Sequence, residues 1–328
     1  MAEFRNMEQL FEVFSETANT LQTELDISFL EALAETGENM FQQTILQDVS
    51  EIVAKRLEKQ YQSIKLEKYE KETIRKAFQL AVLKGMKEGT QPNHLMTPDA
   101  VSLFIGYLVN KFTEEQSSIS ILDPAVGTSN LMTAVLNQLN KPISASGVEI
   151  DETLMKIAYV NANLQQQPIE LFMQDALQPI LVDPVDVVVS DLPIGFYPDD
   201  VGASRYELKA LEGHSYAHHL FIEQSLYYMK EGGYGIFLVP NTLFESEQAQ
   251  QLHVFLKKHA VIYGLLQLPL TMFKNEHYAK SIFIIRKKGE EVKIPKQAML
   301  AEMPSFSNRM AMQSIMKQIE QWFHGQIK

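Results

Sequence analysis

The 328-residue chain contains no cysteine, which excludes disulfides, thiolate metal ligands and a cysteine nucleophile. No apolar run approaches the roughly 18 residues that a membrane-spanning helix requires. The amino terminus, MAEFRNMEQLFEVF, carries acids and no hydrophobic core segment. It does not read as a secretory signal, and a cytoplasmic location is expected. Positive charge is also scarce: 29 basic side chains face 41 acidic ones, for a formal net charge of -12. The deficit is concentrated in residues 94–285, with 21 acidic and 10 basic side chains, whereas residues 286–328 carry 8 basic and 4 acidic ones. A protein that grips a phosphate backbone unaided presents a basic face, so this balance argues against autonomous, tight binding of nucleic acid. There is one tryptophan, Trp322, and no internal repeat or low-complexity tract.

Proline is absent before Pro92. Over that stretch Leu10, Phe11, Val13, Phe14, Leu21, Phe29, Leu30, Leu33, Ile45, Val49, Ile52, Val53 and Leu57 recur at three- and four-residue spacing, which predicts helices. Residues 55–76, with eight bases and four acids, read as a solvated helix face. Gly85, Gly89 and Gln91-Pro92-Asn93 break the pattern and mark a linker. Beyond it, short β-rich runs at 119–122, 143–148, 169–173, 185–190, 234–239, 261–268 and 281–286 alternate with helical patterns such as 130–139, 154–164 and 219–229. Strands and helices in alternation predict an α/β fold with a doubly wound, mostly parallel seven-stranded sheet. The last two runs lie close together, which suits an antiparallel edge strand. The expected organisation is a helical domain over 1–92, a catalytic α/β domain over 93–296 and a helical extension over 297–328.

Four consecutive strand runs end in an acid: Asp123, Glu149, Asp175 and Asp191. The carboxyl ends of parallel strands line the ligand crevice of an open sheet, so the four carboxylates are expected at one edge. Asp123 opens Asp-Pro-Ala-Val-Gly-Thr-Ser-Asn, in which Gly127 permits a tight turn from strand to helix. Ser129 stands where a dinucleotide fingerprint has its second glycine, which weakens a nicotinamide reading. S-adenosylmethionine has no phosphate and tolerates that loop. Glu149 is placed to accept ribose hydroxyls, and Asp175 to accept from an adenine amino group with Ala176 or Leu177 against the ring.

In order along the chain stand Met96-Thr-Pro-Asp99, the Asp123 loop, Leu220-Phe-Ile-Glu-Gln-Ser-Leu226, Gly232-Gly-Tyr-Gly-Ile-Phe-Leu-Val-Pro-Asn241, Leu268-Pro-Leu-Thr-Met-Phe273 and Ser281-Ile-Phe-Ile-Ile285. Together they resemble the class I S-adenosylmethionine-dependent methyltransferases, in particular the adenine-N6 DNA methylase (modification) subunits of type I restriction systems. Within that group the chain is most similar to stand-alone firmicute members of unassigned substrate. The resemblance implies a Rossmann-like fold and methyl transfer to an exocyclic or amide nitrogen, with nucleic acid engaged weakly or through a partner subunit. It implies no membrane and no metal. It places Thr97, Asp123, Pro124, Ala125, Gly127, Thr128, Asn130, Glu149, Ile150, Asp175, Ala176 and Asp191 at the cofactor. Asp191, Leu192, Pro193 and Phe196 fall at the reacting nitrogen.

The family signature there is Asn-Pro-Pro followed by Tyr or Phe. An exocyclic amine conjugated to a ring is a poor nucleophile, so an acceptor side chain and a backbone carbonyl orient it while an aromatic ring stacks on the base. Here the four positions are Asp191-Leu-Pro-Ile194. Asp191 keeps the acceptor and Leu192 its carbonyl, but Ile194 lacks the ring, which leaves Phe196 or Tyr197 to supply one. Ile194 reads alternatively as core beneath the crevice. A cofactor-binding regulator or scaffold with little transfer is the alternative function, and an oxidoreductase on the same fold a more distant one. His214, His218 and His219 lack a metal-binding pattern and are read as lining or capping the helix that follows a mobile loop, Asp199–Tyr216, which reads either as able to fold over a substrate or as a disordered surface loop.

Overall fold

The computed structural model describes residues 2–88 and 96–327. Of the expected linker, Gly85 does not break the helical pattern: it lies inside the helix Lys71–Glu88, where close packing on Leu30 and Phe29 leaves no room for a Cβ. The rest, Gly89 and 91–93, with the boundary between residues 92 and 93, lies outside the described residues. The chain divides into two compact units: residues 1–110, 126–140 and 144–174 form the first, and residues 111–125, 141–143 and 175–328 the second. Among the described residues no helix is long and apolar enough to cross a membrane.

The first unit begins with four helices, α1 (Ala2–Leu25), α2 (Phe29–Gln42), α3 (Glu51–Gln62) and α4 (Lys71–Glu88), followed by α5 (Asp99–Phe112), which continues into the second unit. Ser28 starts α2 with a capping box: its hydroxyl accepts from the Glu31 N–H, and the Glu31 carboxylate accepts from the Ser28 N–H. Leu10, Phe14, Leu21, Leu33, Leu57 and Phe78 are fully or nearly fully buried in one apolar cluster, with Phe14 and Phe78 edge to face at 5.3 Å. The same cluster takes in Ile157, Val160 and Leu164 of α7 (Glu152–Leu164). Gly37 is required there, because a Cβ on it would lie 2.0 Å from a Val160 methyl. The helical region therefore shares its core with an element of the α/β part.

Strands β1 (Ile119–Asp123), β2 (Ile143–Glu149), β3 (Ile169–Met173), β4 (Val185–Asp191), β5 (Met229–Pro240), β6 (Ala260–Gln267), β7 (Lys280–Lys287) and β8 (Met299–Glu302) form a mostly parallel sheet in the order β3-β2-β1-β4-β5-β7-β6-β8. In the first unit β2 pairs in parallel with β3, and the short α6 (Asn130–Leu136) precedes β2. In the second unit β1, β4 and β5 are parallel. Val187, Val188 and Val189 are 0% exposed, the continuous apolar run of a strand covered on both faces. The sheet has one strand more than the seven expected. The antiparallel strand, β7, sits between β5 and β6, and β8 adds in parallel to β6 from within the residues expected to be purely helical. The remaining helices are α8 (Asp200–Ala203), α9 (Ala217–Tyr228), α10 (Ala249–His259) and α11 (Arg309–Trp322). Trp322 packs edge to face on Tyr263 and donates its indole N–H to the Gln297 carbonyl at 2.8 Å.

Candidate functional site

In the first unit the glycine loop is built around Gly127 and Ser129, both in the left-handed region at φ 54° and 61°. The Val126 N–H donates to the Val148 carbonyl and the Gly127 N–H to the Glu149 carboxylate, each at 2.9 Å. The other oxygen of Glu149 accepts the N–H groups of Ile150 and Asp151 at 2.9 Å. The strand-end carboxylate is thus fixed against the loop by three main-chain donors. Thr128 and Asn130 are buried, with the Thr128 carbonyl accepting from Asn161 at 3.0 Å. Thr97 is also buried, whereas Ile150 is 69% exposed.

In the second unit Asp123, 1% exposed, accepts from the Ala125 N–H at 3.0 Å and from the Ser190 hydroxyl at 2.7 Å. Asp175 accepts from the Leu177 N–H at 2.9 Å and from the Tyr197 hydroxyl at 2.5 Å. Burial, together with that carboxylate, raises the Tyr197 phenol above its ordinary value and keeps it a neutral donor. At the end of β4, Asp191 forms an ion pair with Lys280, the first residue of β7. The two side chains are 15% and 16% exposed. Leu192 is buried and donates its N–H to the Leu238 carbonyl at 3.2 Å.

The model of the N-6 DNA methylase family matches residues 80–326, and that of the YtxK N-terminal helical domain matches residues 8–86. The chain belongs to the N-6 DNA methylase family. It is 52% identical to the uncharacterised protein YtxK of Bacillus subtilis over 320 residues, 96% of each chain. It is 47% identical, with a TM-score of 0.92, to the structure of a candidate class I S-adenosylmethionine-dependent methyltransferase from Listeria monocytogenes, covering 97% of this chain and 99% of that one. The fold, at 15% identity and a TM-score of 0.69, also matches the type I restriction-modification methyltransferase subunit of Streptococcus thermophilus, covering 95% of this chain and 74% of that one.

As a member of the N-6 DNA methylase family the protein is an S-adenosylmethionine-dependent methyltransferase. The first unit's loop fits that cofactor. A Cβ on Gly127 would meet nothing within 4 Å, so the loop opens onto free space, and exposed Ile150 offers an apolar face one residue beyond Glu149. When bound, the cofactor supplies a methyl group activated on a sulfonium sulfur.

Two expectations about the N-6 methylase signature region are corrected. Ile194 is 49% exposed and is not core. Residues 199–216 are not a loose flap. The Glu223 carboxylate accepts the N–H groups of Glu207 and Leu208 at 2.8 and 2.7 Å, and Tyr206 donates to the Leu177 carbonyl at 2.6 Å. Of the two rings considered for the stacking role, Tyr197 is buried on Asp175. Phe196 is 60% exposed and stacked on Tyr216 at 4.8 Å. A one-residue β-bridge between Phe196 and Tyr216 holds that pair.

The histidines also separate. His214 is exposed beside Asp200 at 3.0 Å, while His218 and His219 are buried in the first turn of α9. Burial pushes them down to about 3 and about 4, so both are neutral. Among the described residues no group of three metal-binding side chains is found. Sequence reasoning missed Lys280, Ser190 and Arg75. Only Lys280 carried a signal: a base just ahead of the last strand run starts an antiparallel strand, which puts it at the edge where the parallel strands end.

Proposed function

We propose that the protein transfers the methyl group of S-adenosylmethionine to an exocyclic or amide nitrogen, of the adenine-N6 type and most naturally in a nucleic acid. In the first unit, cofactor contacts are assigned to Thr97, Gly127, Thr128, Asn130, Glu149 and Ile150. Asp123, Pro124, Ala125, Asp175, Ala176 and Asp191, in the second unit, keep the cofactor role that the resemblance in sequence gives them. Asp191, with Leu192 and Pro193, orients the acceptor nitrogen, and Phe196 offers an exposed ring beside it. The observation that carries this reading is Asp191 itself, a carboxylate at the last position of β4 followed by Leu-Pro. Orienting the nitrogen's lone pair is what the reaction needs most. The N–C bond forms as the methyl–sulfur bond breaks, and the nitrogen's surplus proton leaves to solvent. The acidic balance over residues 94–285 favours a nucleic acid brought by a partner subunit, which supplies the missing positive face.

A second reading, a cofactor-binding scaffold with little transfer, is favoured by one feature. Lys280 occupies an oxygen of Asp191 that an acceptor amine would use. The test is methyl transfer from labelled S-adenosylmethionine to DNA, RNA and peptide pools, alongside calorimetric titration with the cofactor. Transfer that disappears in Asp191→Ala supports the enzyme. Cofactor binding without transfer to any pool supports the scaffold.

A further inference from the structure

Arg75, on α4 in the helical region, is 0% exposed, which is rare for a guanidinium and demands a full set of partners. It has them, all in the first unit. Glu72, one turn earlier, accepts from Nε and one terminal nitrogen at 2.8 and 2.6 Å. That same terminal nitrogen also reaches Asp99, the first residue of α5, just after Thr97-Pro98. The other terminal nitrogen donates at 2.8 Å to the side-chain oxygen of Asn130, the residue that closes the glycine loop. Glu72 also accepts from Asn137, on the residue that caps α6. One planar fork thereby ties α4 to the start of α5 and to the loop.

The loop needs such an anchor. Ser129 holds a left-handed backbone, which brings the Cβ of an L-residue too close to the following carbonyl. Its hydroxyl and the Asn130 side-chain nitrogen are buried without a hydrogen-bond partner among the described residues. Among the described residues, Arg75 alone therefore holds the Asn130 side-chain amide by a hydrogen bond. Lysine would keep the charge but not the fork, since an ammonium cannot span three acceptors in one plane.

We propose that Arg75 is a positioning residue for the cofactor: through Asn130 it holds the glycine loop in its binding shape, which makes the N-terminal helical region a working part of the cofactor site. The cofactor is that of the family, and the role of Arg75 is additional to it.

The experiment compares the full-length protein with Arg75→Lys, Asn130→Ala and the double variant. Calorimetric titration with S-adenosylmethionine is done well below each melting temperature. Amide hydrogen exchange over residues 126–130 is measured without cofactor. Either single variant is expected to weaken binding roughly tenfold, the worth of one hydrogen bond to a charged group, and to speed exchange across the loop. The double variant should lose no more than Asn130→Ala alone, because the two act through one contact. Wild-type affinity in Arg75→Lys, losses that add in the double variant, or unchanged loop exchange would each overturn the proposal. If Arg75→Lys does not fold, Asn130→Asp, which keeps an accepting oxygen for Arg75, is compared with Asn130→Ala in cofactor-free exchange: faster loop exchange in Asn130→Ala alone supports the proposal, and equal exchange in the two variants overturns it. A wild-type protein that binds no cofactor would instead contradict the cofactor assignment, a result separable from the others.

Discussion

Replacing Lys280 by methionine keeps the apolar stem and removes the ammonium that faces Asp191. With the two side chains 16% and 15% exposed, the pair lies between two known limits. Removing one partner of a fully buried pair costs roughly 3–5 kcal/mol, whereas an exposed pair contributes less than about 1 kcal/mol. At this burial Lys280→Met is expected to cost about 2 kcal/mol, chiefly because Asp191 loses its counter-charge in a partly desolvated place. Asp191→Asn should cost less, since the lysine stem lets its ammonium turn toward water. The double variant should cost no more than the larger single loss, leaving a coupling of about 1–2 kcal/mol. Urea unfolding followed by Trp322 fluorescence is the assay. Trp322 belongs to the same compact unit as the pair and is the only tryptophan. Losses that simply add in the double variant would show that the pair contributes nothing and refute the reasoning. A functional consequence accompanies the stability effect. If Lys280 competes with the acceptor for Asp191, Lys280→Met should raise the apparent affinity for an amine acceptor severalfold.

Three other perturbations address separate links. His218 and His219 have folded-state values of about 3 and about 4, below the ordinary 6.5. The native state therefore binds fewer protons than the unfolded chain below pH 6.5, so stability is whole above that pH and falls as the pH drops toward 4. At pH 5 the loss is roughly 2 kcal/mol for each histidine, visible as a lower urea midpoint; a His218→Leu, His219→Leu variant that keeps the full drop would count against this account. Ser129→Gly removes both the left-handed strain and a buried, unpartnered hydroxyl, against the greater freedom of glycine in the unfolded chain, and should stabilise by up to about 1 kcal/mol; a clear destabilisation would mean that the hydroxyl has a partner in solution. Tyr197→Phe deletes the hydrogen bond to Asp175 and should weaken S-adenosylmethionine binding about fivefold, the worth of roughly 1 kcal/mol; unchanged affinity in calorimetry would remove Asp175 from the cofactor assignment.

Much of this architecture is legible in the chain. The seven β-rich runs all fall within or overlap observed strands, because strands covered on both faces must be apolar without interruption, as 187–189 are. Helices in the first 88 residues announce themselves by their apolar period and by the absence of proline. The β8 strand escaped notice: only four residues long, with exposed Leu300 and Glu302, it has too little pattern to read. The acids at the ends of β1, β2 and β4 were visible because a strand's end is marked in sequence where its apolar run stops, and Asp175 followed β3 by the same logic.

Partnership was not visible, because periodicity reports which face of an element is buried and never what it is buried against. Ile194 shows this in one direction: an apolar residue beside a buried strand reads as core, yet the turn at Gly195 leaves it exposed. Residues 199–216 show it in the other. Their glycines and charges suggest a free loop, but Glu223, on a helix that comes later in the chain, accepts two of their N–H groups. Lys280 and Asp191 are 89 residues apart, and Arg75 and Asn130 are 55 apart. Local chemistry along the chain sets the helices, the strands, the glycine loop and the strand-end acids. Which lysine neutralises Asp191 and which arginine holds Asn130 are decided by strand register and helix packing, since charges so far apart in sequence meet only after the intervening chain has folded.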